Sequence, residues 1–255
     1  MIGPKDQAIQ EIKEVVKKRY AKRALDVMAR PSADKPDSSA DACCGTTYQA
    51  VDLAAIPGEA ILASAGCGNP TALADLHPGE VVLDLGSGGG IDCFLASRAV
   101  GPKGRVLGVD MTPEMVELAR SNARRIKATN VEFYLGHIEE LPFDSNTVDV
   151  VISNCVVCLS PDKDAVFGEA FRVLRTGGRL HLSDMMLVGD LPDAVKRDPQ
   201  KWAECVSGAD QRETYVERLR AAGFQDVTIA QEQPYRQEPG LENLRSVHVI
   251  ARKLD

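Results

Sequence analysis

The stretch Val81-Val82-Leu83-Asp84-Leu85-Gly86-Ser87-Gly88-Gly89-Gly90 carries the strongest structural signal in this chain. Five residues, four of them aliphatic, read as a buried strand, and glycines follow at once. Glycine after a strand lets the backbone turn sharply and come close to a ligand. Downstream, strand-like runs recur at 105–110, 131–135, 148–153 and 179–183. Helical segments at 91–99 and 113–127 separate the first three, with Thr112 placed as an N-cap, Pro113 at the first helical position and Glu114 in the first turn. A further helix is expected over 164–174, closed by Gly177-Gly178. After Gln211 come a helix, a turn at Ala222-Gly223-Phe224, and strands near 227–230 and 247–251. Strands alternating with helices imply βαβ crossovers, so the expected fold is α/β with a mostly parallel seven-stranded sheet flanked by helices.

Upstream of the glycine turn, Ile9, Ile12, Val16, Ala24, Leu25 and Met28 fall at helical spacing and predict an amphipathic helix over 7–29. Residues 30–47, rich in Pro, Ser, Asp and Ala, read as a loop carrying the adjacent pair Cys43-Cys44. A second turn, Gly66-Cys67-Gly68-Asn69-Pro70, has a cysteine at its centre. Three parts follow: a helix with cysteine-bearing loops over 1–77, a core over 78–184, and a C-terminal part over 185–255 that completes the sheet and covers the site.

Composition narrows the partners. With 44% hydrophobic and 26% charged residues the chain is ordinary for a globular protein, and its net charge of −7 disfavours a nucleic-acid polyanion. The basic runs Lys17-Lys18-Arg19 and Lys22-Arg23 read as a solvated helix face. Neither a signal-like apolar run at the start nor a stretch of ~18 apolar residues is found, so no membrane partner is expected and the cytoplasm is the expected location. Thiols stay reduced there. Seven cysteines, an odd number, fit reactive or metalloid-binding thiols better than a disulfide framework.

In an open α/β sheet, ligands bind beyond the carboxyl ends of the strands. Asp110 ends the second strand a little over 20 residues after the glycines, where a carboxylate accepts hydrogen bonds from ribose hydroxyls. The spacing departs from G-x-G-x-x-G. The pattern Asp84-x-Gly86-x-Gly88-x-Gly90 instead resembles the Rossmann-like class I S-adenosylmethionine methyltransferases, from Val81 to about Asp184. That resemblance implies a cofactor site made of Asp84, Gly86, Ser87, Gly88, Gly90, Asp110 and Met111, with Ile138 and Glu139 at the adenine and Asn154 facing the methionine end. For Glu139 and Glu140 a solvated helix cap is the competing reading.

Cysteine is often a small buried hydrophobe, and Cys93, in an apolar helix start, is expected in the core. Cys155 and Cys158 follow the fourth strand, at the rim where a reacting atom would sit. Alone, a C-x-x-C pair fits a redox couple or half a zinc site, but neither a second pair nor clustered histidines accompany it. Cys205 lies beyond the fifth strand, and Cys43, Cys44 and Cys67 come from the N-terminal loops. Thiols from three segments are thus able to converge on the strand ends, and thiolates select soft acceptors. Trivalent arsenic takes three sulfurs in a pyramid and keeps a lone pair.

The segments Cys43-Cys44-Gly45, Gly66-Cys67-Gly68-Asn69-Pro70, Ser153-Asn154-Cys155-Val156 and Glu204-Cys205-Val206-Ser207-Gly208-Ala209 are similar to those of arsenite methyltransferases, over about 43–224. The resemblance implies that Cys67, Cys155 and Cys205 bind arsenic. It also implies that one of Cys43 and Cys44, with Cys44 preferred, pairs oxidatively with Cys67. S-adenosylmethionine is then the methyl donor, arsenite or its thiol conjugate the small-molecule substrate, and thioredoxin or glutathione the thiol reductant. One departure stands out. Cys158 occupies a position where many relatives carry asparagine, on one face of a turn with Cys155, placed to compete for arsenic or for oxidation. Two other functions fit fewer of these residues: methylation of another small acceptor, and arsenic binding without turnover.

Overall fold

The computed structural model describes residues 4–30, 48, 53, 55–235 and 239–254. Cys43 and Cys44 lie outside the described residues. The chain opens on α1 (Pro4–Met28), α2 (Gly58–Ala63) and α3 (Pro70–Leu73). It continues through β1 (Val81–Leu85), α4 (Ile91–Val100), β2 (Arg105–Asp110), α5 (Pro113–Ile126) and β3 (Val131–Leu135). Next come β4 (Val148–Asn154), α6 (Lys163–Val173), β5 (Leu174–Leu187), α7 (Asp193–Lys196) and α8 (Pro199–Ala203). The two-residue β6 (Asp210–Gln211), α9 (Arg212–Ala221), β7 (Gln225–Pro234) and β8 (Leu244–Arg252) complete it.

The sheet runs β3-β2-β1-β4-β5-β8-β7, with β6 paired to the end of β5. The first five strands are parallel; β8 is antiparallel to β5, and β7 to β8. The seven strands expected from sequence are all present. Order reverses between β1 and its neighbours β2 and β4, which creates the crevice where such sheets bind ligands.

Side-chain alternation along β1 explains how one strand serves both faces. Val82 packs with Phe94, Ala96 and Val100 of α4 and with Val116 and Ala119 of α5. Leu83 and Leu85 point the other way, into a core with Val166 and Phe167 of α6 and Tyr215 and Leu219 of α9. All are buried, as near-continuous apolar runs in parallel strands require.

Two local expectations need correction. The α6 helix is not closed by Gly177-Gly178; it ends at Val173 and runs straight into β5. Pairing passes from Val148↔Leu174 to Val150↔Arg179, so residues 175–178 bulge out, with Gly177 at φ +81. The inward stripe of α1 is buried Val16, Ala24 and Val27 with half-buried Tyr20, whereas Leu25 and Met28 are exposed. That i, i+4, i+8, i+11 stripe faces α2, α5 and α8. Thr112 does sit at the N-cap, but its side chain makes no capping hydrogen bond.

Candidate active site

A cleft opens over the carboxyl ends of β1, β2 and β4. One wall is the glycine turn. Gly86 and Ser87 donate backbone N–H bonds to the Val109 carbonyl, and Gly90 donates to Ser87. Gly86 has φ +70, and a Cβ there would lie 2.4 Å from Val156 Cγ2, so only glycine fits. Gly88 (φ +50) donates its N–H to Asp110 Oδ2 at 2.9 Å, while Thr112 donates its N–H to Asp110 Oδ1 at 2.9 Å. Both carboxylate oxygens are thereby aimed by backbone. Burial pushes the Asp110 carboxyl above the ordinary range against those hydrogen bonds.

The cleft is lined by Asp84, Gly86, Ser87, Gly88, Asp110, Met111, Ile138, Glu139, Asn154 and Cys155, nearly the whole set expected from sequence. Gly90 is not on its wall. Its Cβ would fall 2.9 Å from the rings of Phe94 and Phe133, so this glycine serves the packing of α4 beneath the turn. Glu139 is not a solvated cap. It accepts the Ser160 hydroxyl at 2.7 Å and meets Lys13 of α1 at 3.2 Å across the cleft mouth. Cys93 is fully buried, as expected, and its thiol donates to Asp84 at 3.2 Å.

Ser87 Oγ is buried and finds no hydrogen-bond partner among the described residues. A native hydroxyl left in that state signals a missing acceptor or donor. With the glycine turn and the aimed carboxylate, the residues present fit a nucleoside-bearing cofactor.

Thiols form the other end of the site. Cys155 follows β4 directly, at φ +61, with its N–H on the Ser183 carbonyl at 2.7 Å. Cys205, after α8, is also left-handed, at φ +63. Left-handed backbone is rare for side chains other than Gly, Asn and Asp, and such strain clusters at functional sites. Cys158 lies in a single 3-10 turn, Val157–Leu159, its N–H held by Asp184 Oδ2 at 3.0 Å. The sulfurs of Cys155, Cys158 and Cys205 all lie within 4.8 Å of one another. Three ties bring the 205 loop onto the 155–160 segment. Trp202 Nε1 donates to the Leu159 carbonyl at 2.9 Å, Cys205 Sγ reaches the Cys155 carbonyl at 3.3 Å, and Gly208 passes so close to the Cys158 carbonyl that a Cβ would sit 2.1 Å from it.

Cys67 stands beside Cys155, within hydrogen-bonding reach of its thiol, but outside the tight trio. Asn154 fixes its turn. Oδ1 accepts the N–H groups of Cys67 and Gly68 at 2.9 and 3.1 Å, and Nδ2 donates to the Gly68 carbonyl, the Tyr48 hydroxyl and Asp92. Ser246 Oγ donates to the Cys67 carbonyl at 2.9 Å. Of these four cysteines, Cys155 is the one on the cleft wall.

The protons of the trio are unevenly shared. Burial pushes Cys155 and Cys158 well above the ordinary thiol range. Cys205 goes the other way. The neighbouring thiols of Cys155 and Cys158 donate to it, ahead of the Tyr20 hydroxyl and the Arg19 charge, and draw it well below that range despite burial. Of the three, Cys205 is thus the most readily deprotonated, and the thiolate is the form that attacks and ligates.

Several site residues escape sequence reasoning. Asp92, in the first turn of α4, accepts Tyr48 and Asn154 and is pushed by burial to about 6. Its place right after the glycine turn is a signal that could have found it. Tyr20, Tyr48 and Asp184 carry no local signal; only the tertiary fold brings them here.

A family model described as a methyltransferase domain matches residues 76–232. The chain belongs to this methyltransferase family. Its sequence is 45% identical over 236 residues to an arsenite methyltransferase of Halobacterium salinarum, covering 88% of this chain and 60% of that protein. The human arsenite methyltransferase is 42% identical over 137 residues, covering 50% of this chain and 36% of that one. Among solved structures, an arsenic(III) S-adenosylmethionine methyltransferase of Chlamydomonas reinhardtii superimposes with a TM-score of 0.65 at 38% identity, covering 74% of this chain and 67% of that one. The chain thus spans 60% or less of the length of these two curated relatives. Its sheet order and glycine turn are those of a class I methyltransferase, flanked by helices on both faces.

Proposed function

We propose that this methyltransferase transfers methyl groups to trivalent arsenic, arsenite and then methylarsenite, held by cysteine thiolates. One observation carries the reading: Cys155 belongs both to the cleft wall and to the sulfur cluster, so a thiol-held atom lies against the cofactor site. The three similar proteins named above act on arsenite or arsenic(III) by their names, which supports the same substrate here.

In this reading Asp110 takes the ribose hydroxyls, Ile138 and Glu139 flank the adenine, and Asp84, Gly86, Ser87, Gly88, Met111 and Asn154 hold the rest of S-adenosylmethionine. Gly90 supports the turn from behind. Bound there, S-adenosylmethionine supplies a methyl group on a sulfonium, whose C–S bond breaks with its electron pair on sulfur as the arsenic lone pair takes the carbon. Cys205, the most readily deprotonated of the three, engages arsenite first; Cys155 and Cys67 complete the three sulfurs, and the three displaced hydroxides leave as water with the three thiol protons. The protein's own contribution is placement, because an oriented near-attack pair replaces large entropic terms. No general base is needed, since a lone pair attacks without losing a proton. Methylation takes arsenic from +3 to +5. The Cys44 thiol attacks the arsenic-bound Cys67 sulfur and gives up its proton: the S–S bond forms, the As–S bond to Cys67 breaks with its electron pair on arsenic, which returns to +3, and thioredoxin or glutathione then reduces the disulfide. A reducing compartment such as the cytoplasm suits this cycle. Among the described residues no helix is long and apolar enough to cross a membrane.

The test is to incubate the pure protein with arsenite, S-adenosylmethionine and a thiol reductant, and to separate arsenic species by chromatography with elemental detection. Methylated arsenic from the wild type and none from Cys155→Ser supports the assignment. Arsenite bound without product points to sequestration. Neither product nor binding leaves another acceptor to be found.

A further inference from the structure

Four thiols converge, but a pyramidal trivalent arsenic uses three. Cys155 and Cys205 are common to the set the resemblance implies and to the tight trio, so the question is which cysteine stands third. Cys67 and Cys158 flank Cys155 differently. The Cys67 turn is on the cleft side, because Gly66 and its clasp Asn154 both line the cleft. Cys158 is fully buried and sits against Asp184 and Gly208, none of them on the cleft wall. It is Cys158, not Cys67, whose sulfur closes the tight trio. Its backbone is anchored in the sheet region through Asp184, which also accepts the Tyr215 hydroxyl at 3.0 Å.

We propose that the chain contains two three-sulfur seats for trivalent arsenic sharing Cys155 and Cys205: an outer seat completed by Cys67 at the cleft, and an inner seat completed by Cys158. The inner seat lets arsenite bind on three thiolates while Cys67 is still tied up in the disulfide left by a previous turnover; methylarsenite, with a carbon already on arsenic, takes two sulfurs and does not use it. Soft thiolate sulfur is the donor set such an ion selects, and with Cys67 reduced a move from the outer to the inner seat exchanges one As–S bond for another, a proton passing from the Cys158 thiol to the departing Cys67 sulfur. No electrons are gained or lost in that exchange. This inference rests on the reading of the site as an arsenic site and adds that Cys67 is dispensable for holding the ion.

The experiment loads arsenite alone on the full chain and counts sulfurs around arsenic by X-ray absorption. Wild type and Cys67→Ser should both show three sulfurs, with dissociation constants within about 10-fold of each other. In Cys67→Ser/Cys158→Ala the count should fall to two sulfurs and an oxygen, with affinity lower by at least about 100-fold. If that variant fails to fold, Cys43→Ser/Cys44→Ser/Cys67→Ser serves instead and should still show three sulfurs. Two sulfurs in Cys67→Ser would overturn the inner seat, as would three sulfurs persisting in Cys67→Ser/Cys158→Ala. Absence of arsenite from the wild type would overturn the arsenic reading itself and the inner seat with it. Three sulfurs in wild type and two in Cys67→Ser would overturn the inner seat alone.

Discussion

The cofactor end of the cleft is built mainly from one continuous piece of chain, 81–112, shaped by backbone hydrogen bonds and three left-handed glycines, with Ile138, Glu139 and Asn154 added from later segments, whereas the thiol end is gathered from residues 67, 155–158 and 205. In the first, geometry comes from sequence-local rules: a strand, a turn that excludes Cβ atoms, and an acid at the end of the next strand. In the second, geometry comes from side chains and loops meeting across the sheet, with two cysteines in strained backbone. The contrast teaches that binding the cofactor and gripping the acceptor are separable tasks here, joined at Cys155 and Asn154.

Separability is broken or sharpened by four substitutions. Cys205→Ser removes the most readily deprotonated sulfur of the cluster and should lower methylation by at least about 1,000-fold, because placement of the acceptor is lost. Cofactor affinity, read by titration calorimetry, should stay within about twofold. A parallel loss of both would mean the two ends are one unit. Asp110→Ala attacks the other end. It removes a carboxylate that organises Gly88 and Thr112, and should weaken cofactor binding by about 100-fold while arsenite binding stays unchanged.

Asn154→Ala should be the exception that damages both ends. It strands the N–H groups of Cys67 and Gly68 and one side of Asp92, so it should cost about 2 kcal/mol in chemical denaturation and weaken both ligands. Full affinity for either one would show that the clasp is not the hinge between them.

The smallest effect concerns pH. The Asp92 carboxyl is raised by burial from 3.8 to about 6 in the folded chain. Between pH 5 and pH 7 the folded state therefore gives up a proton that the unfolded state has already lost. This group makes the protein about 1 kcal/mol less stable at pH 7 than at pH 5. Asp92→Asn keeps partners for Tyr48 and Asn154 and should remove that slope in denaturation curves. An unchanged slope would place the titration elsewhere.

The legibility of the two ends follows the same division. Strands β1, β2 and β3 begin and end where the sequence places them, since alternation, glycine and the proline-started α5 all act locally. The expected strand at 179–183 is short of the real β5, because Asp184-Met185-Met186-Leu187 lacks β-branched residues and gains its extended form from pairing with β8. Cysteines 67, 155 and 205 were legible as residues able to converge, but the tightest sulfur trio contains Cys158, and that depends on how the 205 loop docks. Tyr20 reaches the cluster only because α1 lies over the cleft, which no local pattern encodes.

The most direct test of a cofactor end and a thiol end working on one atom is a single turnover. The protein would be loaded with arsenite and S-adenosylmethionine carrying a labelled methyl group, without external reductant, and quenched. About one equivalent of labelled methyl on arsenic per chain is the predicted result. Label remaining on the cofactor, with both ligands bound, would contradict it.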